Sequence, residues 1–263
     1  MKTILVGDLH LKVRLILAIV SEKIEEFECE QVIFMGDYTD DWNCNMNQQL
    51  YLDELEFLIN WKDKMKAQGV NVVTLLGNHD APYLTGNLRH YSLHQGYQLI
   101  SESLFKLGTQ IAFQMDDFLV SHAGYCWGQE LEEWHLRTIE KADSAAINLL
   151  ERQVGIGRGG RYWSGSPLWA DYRELMDSPN PKYLKQIVGH TPQKEILLEN
   201  AQDKPFEFIA IDTFNLASKG EYPYYNFRGN GDLLLYNSGE LSVIETEWQQ
   251  KETLEKLYLQ RSR

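Results

Sequence analysis

Short apolar runs alternate with long amphipathic ones through the first 76 residues, and this alternation constrains the fold more than anything else in the chain. Residues 3–6, 31–35 and 70–76 are apolar and of strand length, whereas 13–27 and 48–68 carry apolar residues at helical spacing with Glu and Lys between them. Leu52, Leu55, Leu58, Ile59 and Met65 make one stripe of the second helix. A β-α-β-α-β order places each helix as a crossover, so it predicts a mainly parallel sheet with helices packed on it.

The pattern then changes. Residues 110–115 and 118–121 predict two strands joined at Asp116-Asp117, 129–153 predicts another helix, and 187–188, 206–211, 233–236 and 241–245 predict short strands. Asn237-Ser238-Gly239-Glu240 is a good hairpin turn between the last two. Residues 154–168 hold five glycines among fifteen positions, too long and Gly-rich for an ordinary connection, so a functional or mobile loop is expected there. Within it, Gly155-Ile156-Gly157-Arg158-Gly159-Gly160 satisfies G-x-G-x-x-G, but a predicted helix precedes it where a dinucleotide fingerprint needs a strand. With no repeat or low-complexity linker, residues 1–263 are expected to form one domain, ending in a charged tail (249–263) in which no residue reads as chemical.

Composition narrows the function classes. Hydrophobic residues at 43% and charged residues at 24% fit a globular chain and exclude a disordered or fibrous one. The net charge of −13 repels a phosphate backbone, so broad nucleic-acid binding is not expected. A small phosphorylated substrate or a phosphoprotein remains compatible, because a bound cation reverses the local field. Cys29, Cys44 and Cys126 are odd in number without C-x-x-C spacing, which predicts a reducing cytoplasm rather than a disulfide framework. Apolar runs too short for a signal-peptide core or a membrane span predict a soluble protein with no membrane partner.

The chemistry-bearing residues follow the strands. Asp8-Leu9-His10 comes directly after the first, Gly36-Asp37-Tyr38-Thr39-Asp40 after the second and Gly77-Asn78-His79-Asp80 after the third. Asp8 and His10, two residues apart in extended chain, share a face and can grip one cation. A lone D-x-H is more often a capped turn, but three polar turns after three consecutive strands lie where open α/β sheets place their sites. His122 and His190 end two later apolar runs, in Ser121-His122-Ala123-Gly124 and Gly189-His190-Thr191-Pro192. The other three of the seven histidines, His90, His94 and His135, read as surface or satisfied residues.

The ordered series D-x-H, G-D-x-x-D, G-N-H-D, x-H-A-G and G-H-T over residues 8–191 resembles the calcineurin-like metallophosphoesterase superfamily. The resemblance implies an α/β fold, a four-layer αββα sandwich of two mixed sheets flanked by helices, with a two-metal site at the carboxyl ends of the strands. Asp8, His10 and Asp37 would hold one ion and Asp37, Asn78, His122 and His190 the other, Asp37 bridging. Manganese is the first expectation, with iron, zinc, nickel or magnesium as alternatives. A phosphomonoester, phosphoprotein or nucleotide anhydride would be hydrolysed by a hydroxide shared between the ions, with His79 as general acid and Asp40 as its partner. An inactive scaffold with the same fold and a nuclease or phosphodiesterase are the competing readings. Phosphoprotein phosphatases have arginine after G-D-x-x-D, whereas this chain has Asp41-Trp42; they have Glu where Asp80 stands, and Pro192 stands two positions after His190 where nuclease branches carry histidine. These features place the chain nearer the protein-phosphatase and dinucleoside-tetraphosphatase side. Arg158, Arg161 and Arg173, with Arg89, are the candidates for the missing phosphate contact.

Overall fold

A computed structural model describes residues 1–200, 206–220 and 224–261. Two five-stranded mixed sheets carry the architecture. In the first, β1 (Lys2–Val6), β2 (Gln31–Phe34) and β3 (Asn71–Thr74) run parallel, and β11 (Leu233–Asn237) and β12 (Glu240–Ile244) extend it antiparallel beyond β1. In the second, β5 (Phe118–Ser121), β6 (Lys185–Val188) and β8 (Glu207–Ala210) are parallel, flanked by the antiparallel edges β4 (Ala112–Met115) and β7 (Leu197–Asn200). A small ribbon pairs β9 (Leu216–Ser218) with β10 (Tyr225–Phe227).

The period-2 alternation of side chains sorts these strands into layers. Leu5, Ile33 and Val73 face Val120, Ile187 and Ile209, and this apolar seam joins the two sheets. Their neighbours Ile4, Val6, Val32, Phe34 and Val72 point the other way, onto α1 (Val13–Phe27) and α2 (Gln48–Ala67) through Ile16, Leu17, Leu55 and Leu58. Beyond the second sheet, Val188 and Phe208 pack on Leu175 of α6 (Tyr172–Asp177). The outcome is the expected sandwich.

Several details depart from the sequence reading. The helix predicted over 129–153 is replaced by two 3-10 turns, Glu133–Leu136 and Lys141–Asp143, and by α5 (Ser144–Arg152). Tertiary pairing wins there: Ile111 N–H donates to the His135 carbonyl (3.1 Å) and Ile139 N–H to that of Thr109 (2.8 Å), so these groups bond to the second sheet's edge instead of a helical ladder. Helices α3 (Ala81–Thr85), α4 (Tyr97–Leu107) and α6 and strands β7, β9 and β10 form where the sequence predicts no regular element. The hairpin is present, with Ser238 and Gly239 both at positive φ (51° and 96°), as a two-residue turn of the right hand requires. The 154–168 loop is held down, since the Glu174 carboxylate accepts the N–H groups of Gly157 (2.7 Å) and Gly165 (2.8 Å). α7 (Lys251–Arg261) makes the expected tail a packed element: Leu257 is fully buried, as is Trp248 just before it. All three cysteines are free and buried, and among the described residues no helix is long and apolar enough to cross a membrane.

Trp248 packs edge-on against Phe214 (5.1 Å between centroids) and Phe227 (5.8 Å), tying the segment before α7 to the β9–β10 ribbon and the chain leading into it. Trp248→Ala should cost about 3–5 kcal/mol of stability, the usual range for truncating a buried tryptophan. An unchanged urea midpoint would show that this segment is not part of the core.

Candidate functional site

All six parallel strands end at one edge of the sandwich, and each is followed by a polar side chain that turns into the same space: Asp8, Asp37, Asn78, His122, His190 and Asp212. All are buried. Four site residues adopt left-handed backbone, His10 (φ 39°), Asp37 (51°), Asp40 (51°) and His190 (61°). Such conformations cost energy in non-glycine residues and persist where the surroundings over-determine them, typically at functional sites.

Asp37 occupies the centre. Its Oδ1 accepts the His79 N–H (2.8 Å), while Oδ2 lies 3.5 Å from His10 Nε2 and 3.6 Å from His122 Nε2. Both imidazoles are fixed from behind: His10 Nδ1 donates to the Asp40 carbonyl and His122 Nδ1 to the Met35 carbonyl, each at 2.8 Å. Their Nε2 atoms therefore carry lone pairs. Burial lowers the pKa of His10 to about 4 despite the Asp37 carboxylate, and it likewise lowers that of His122 and, with the Arg158 charge, that of His190. His122 Nε2 also faces Asn78 Oδ1 (2.9 Å) and His190 Nδ1 (3.1 Å). Neutral imidazoles, an amide oxygen and a carboxylate thus converge with electron pairs inward, which suits a cation and little else. Two groups meet the spacing for a bound ion, His10 with Asp37 and His79, and Asp37 with His122 and His190.

Asp8 lies beside these groups, its oxygens accepting the His190 N–H (3.2 and 3.1 Å) and Oδ1 sitting 3.9 Å from His122 Nδ1. Burial, then the Asp212 and Asp37 charges, raise its pKa well above the carboxylate range. Asp212 is a site residue the sequence reading missed. The signal was present, since it follows the apolar run 206–211 as the others follow theirs. Burial raises its pKa to about 7 although Lys12 opposes the shift, and Oδ1 has no hydrogen-bond partner among the described residues.

His79 sits at the rim, edge-on to His10 (4.9 Å) and packed on the Tyr91 ring (4.7 Å). Its Nδ1 is 3.3 Å from Asp40 Oδ2, and Asp40 is in turn held by the Tyr51 (2.8 Å) and Tyr83 (2.6 Å) hydroxyls. Burial disfavours the imidazolium, yet the Asp37 and Asp40 carboxylates outweigh it and raise its pKa to about 9. Asp80 supports the turn, its Oδ1 accepting the N–H groups of Tyr38 (2.9 Å) and Thr39 (3.1 Å).

Of the candidate arginines, Arg158 reaches the site. It donates to the His190 carbonyl (2.9 Å) and Thr191 Oγ1 (3.0 Å), with Nε 3.2 Å from Asp171. Arg161 and Arg173 are exposed, and Arg89 is paired with Glu151 (2.8 Å) and lies over the Trp169 ring. A cleft of about 640 Å³, lined by Trp127, Tyr162, Trp163 and Ser178 among others, adjoins the same loop and includes none of the candidate ligands.

The chain matches the calcineurin-like phosphoesterase family over residues 1–194. No curated protein matches it. Among solved structures it is similar to a cold-active protein-tyrosine phosphatase of a psychrophilic Shewanella species, at 20% identity and a TM-score of 0.55, covering 92% of this chain and 77% of that one. It is also similar to a protein serine/threonine phosphatase from Saccharomyces cerevisiae, at 15% identity and a TM-score of 0.52, covering 95% and 82%.

The glycine of Gly77-Asn78-His79-Asp80 has a steric purpose. A Cβ there would lie 2.1 Å from Asp37 Oδ1 and 2.3 Å from Asp37 N, so even alanine must displace the central carboxylate. Gly77→Ala is expected to abolish divalent-metal retention by elemental analysis, whereas Gly220→Ala, with open space around it, should retain it. Equal metal content in the two variants would remove Asp37 from the centre of the site.

Proposed function

The chain belongs to the calcineurin-like phosphoesterase family and is a metal-dependent phosphoric ester hydrolase, and on that footing we propose that it is a phosphatase in which Asp8, His10 and Asp37 hold one divalent ion and Asp37, Asn78, His122 and His190 a second. One observation carries the reading: His122 commits its Nδ1 proton to the Met35 carbonyl, so its Nε2 meets Asn78 Oδ1 and Asp37 Oδ2 as lone pair against lone pair, with the His190 ring beside them. A buried cluster of acceptors without a cation is costly, and a cation makes it favourable. Two divalent ions held there would supply Lewis-acid activation of water and of the phosphoryl group. Manganese is the proposed native metal.

The remaining steps belong to side chains. His79, with its pKa raised to about 9, is protonated at neutral pH, and Asp40 on Nδ1 leaves the Nε2 proton free for the departing oxygen. Tyr51 and Tyr83 hold Asp40 in place for that task. Arg158 is the proposed phosphate contact in place of the arginine that Asp41 displaces, with Arg161 and Arg173 the outer candidates. Its guanidinium is partly exposed and already lies beside His190. Phosphomonoesters, phosphoproteins and nucleotide anhydrides are the proposed substrates.

The test is a Mn²⁺-supplemented panel of nitrophenyl phosphate, phosphopeptide, dinucleoside polyphosphate and bis-nitrophenyl phosphate. Turnover of the first three should exceed that of the diester, and Asp37→Ala should lose both the metal and all turnover. A preference for the diester would favour the nuclease or phosphodiesterase reading, and no turnover on any member, metal bound, would favour the inactive scaffold.

His79→Asn should keep its metal and lose roughly 10²–10⁴-fold in turnover of an alkyl phosphate, the ordinary worth of a general acid. Nitrophenyl phosphate, whose leaving group needs little protonation, should lose far less. Equal losses on the two substrates would assign His79 another role.

A further inference from the structure

Asp41 stands where phosphoprotein phosphatases carry arginine, and the structure surrounds it with cations. Its carboxylate is 7% exposed and is paired with Lys12 Nζ (3.4 Å) and with the Arg261 guanidinium of α7. Lys12 and Arg261 are themselves 1% and 5% exposed, so three charges are buried together. The guanidinium also lies 4.6 Å over the Tyr225 ring, and the Tyr225 hydroxyl donates to the Trp42 carbonyl (3.4 Å), one residue beyond Asp41. An arginine 220 positions away in sequence is thereby locked onto the turn that follows β2.

This turn orients His10. The His10 Nδ1 proton goes to the Asp40 carbonyl, which belongs to the Asp40–Asp41 peptide. Lys12, the other partner of Asp41, donates to the His10 carbonyl (3.3 Å). Asp41 therefore braces His10 from its ring and from its backbone, at a residue whose φ of 39° needs such bracing. Groups that hold a metal-ligating histidine through its second nitrogen set ligand orientation and affinity.

We propose that Arg261 is a positioning residue of the metal centre: from the C-terminal helix it holds Asp41, Asp41 fixes the Asp40–Asp41 peptide and Lys12, and these fix His10, so that docking of α7 sets the affinity of the ion His10 ligates. The proposal rests on the metal assignment made under Proposed function. It gives α7 a task at a site to which the helix contributes no ligand. Arg261 is suited to it, because its planar fork is always charged and stacks on an aromatic face while it pairs.

The experiment is calorimetric titration of Mn²⁺ into the metal-free full-length protein, as wild type, Arg261→Gln and Arg261→Lys. One of the two binding steps should weaken about ten- to a hundredfold in Arg261→Gln, the range for lost support of a ligand, while the other stays within twofold. Arg261→Lys, which keeps the charge and loses the fork, should fall between, and it carries the comparison if the glutamine variant fails to fold. The metal-free protein gives an independent readout. By NMR, the His10 Nδ1 proton should be protected from exchange in wild type and exchange faster in the variants. Two unchanged steps, equal weakening of both steps, or an unaltered His10 signal would each overturn the proposal. A wild type that binds no Mn²⁺ would overturn the metal assignment instead, and the His10 signal would still decide whether Arg261 positions the ring.

Discussion

The Asp37 carboxylate is the interaction on which the rest of the site depends. One oxygen is spent on the His79 backbone, which sets the turn after β3, and the other faces imidazoles supplied by β1 and β5. A single anion therefore gathers the ends of three strands of one sheet and one of the other. Burial alone would raise its pKa, but the facing histidines, His122 first, hold it below the usual carboxylate range. Asp8 and Asp212 share the space, and burial first, then the neighbouring carboxylates, raises their pKa values. The protein keeps three carboxyls close because positive charge is meant to enter among them.

The sandwich makes this concentration possible. Parallel strands all end at one edge, so six βα or βloop turns open into the same space, while antiparallel strands are kept to the flanks: β12-β11, β4 and β7. Close approach of the two sheets at the site is made by glycines: a Cβ on Gly7 would lie 2.4 Å from the Ile211 carbonyl oxygen, and one on Gly189 2.4 Å from Asp8 Oδ1. The loop after α5 lies across that edge because Glu174 gathers its amides and Arg158 ties it to the His190 turn. Its glycines let the chain pass the Glu174 carboxylate rather than keep it mobile.

Much of this was legible in the sequence because it is local. The runs before Asp8, Asp37 and Asn78 are apolar on both faces, as strands buried on both sides must be, and the polar turn follows at once. His122 and His190 could be read in the same way. What lay beyond reading depends on pairing across long separations. Residues 129–143 have helical spacing but bond to 109–111, and no local pattern announces that choice. Asp41 read as a missing cation, since nothing near it in sequence shows that Arg261 and Lys12 supply two. Asp212 was overlooked because an Asp-Thr pair after a strand is common, and only the packing of six such ends reveals its company.

The order of synthesis gives the strand arrangement a consequence in time. β1 is made well before β11, its neighbour on one side, so a growing chain carries an open strand edge while the residues between them emerge. The ligands are divided in the same way, with Asp8 to Asn78 early and His122 and His190 late. At about 5–20 residues per second, several seconds separate the two sets. Through that interval the edge that invites wrong partners stays open and the ligand set proposed for the second ion stays unfinished, and both are completed by late segments.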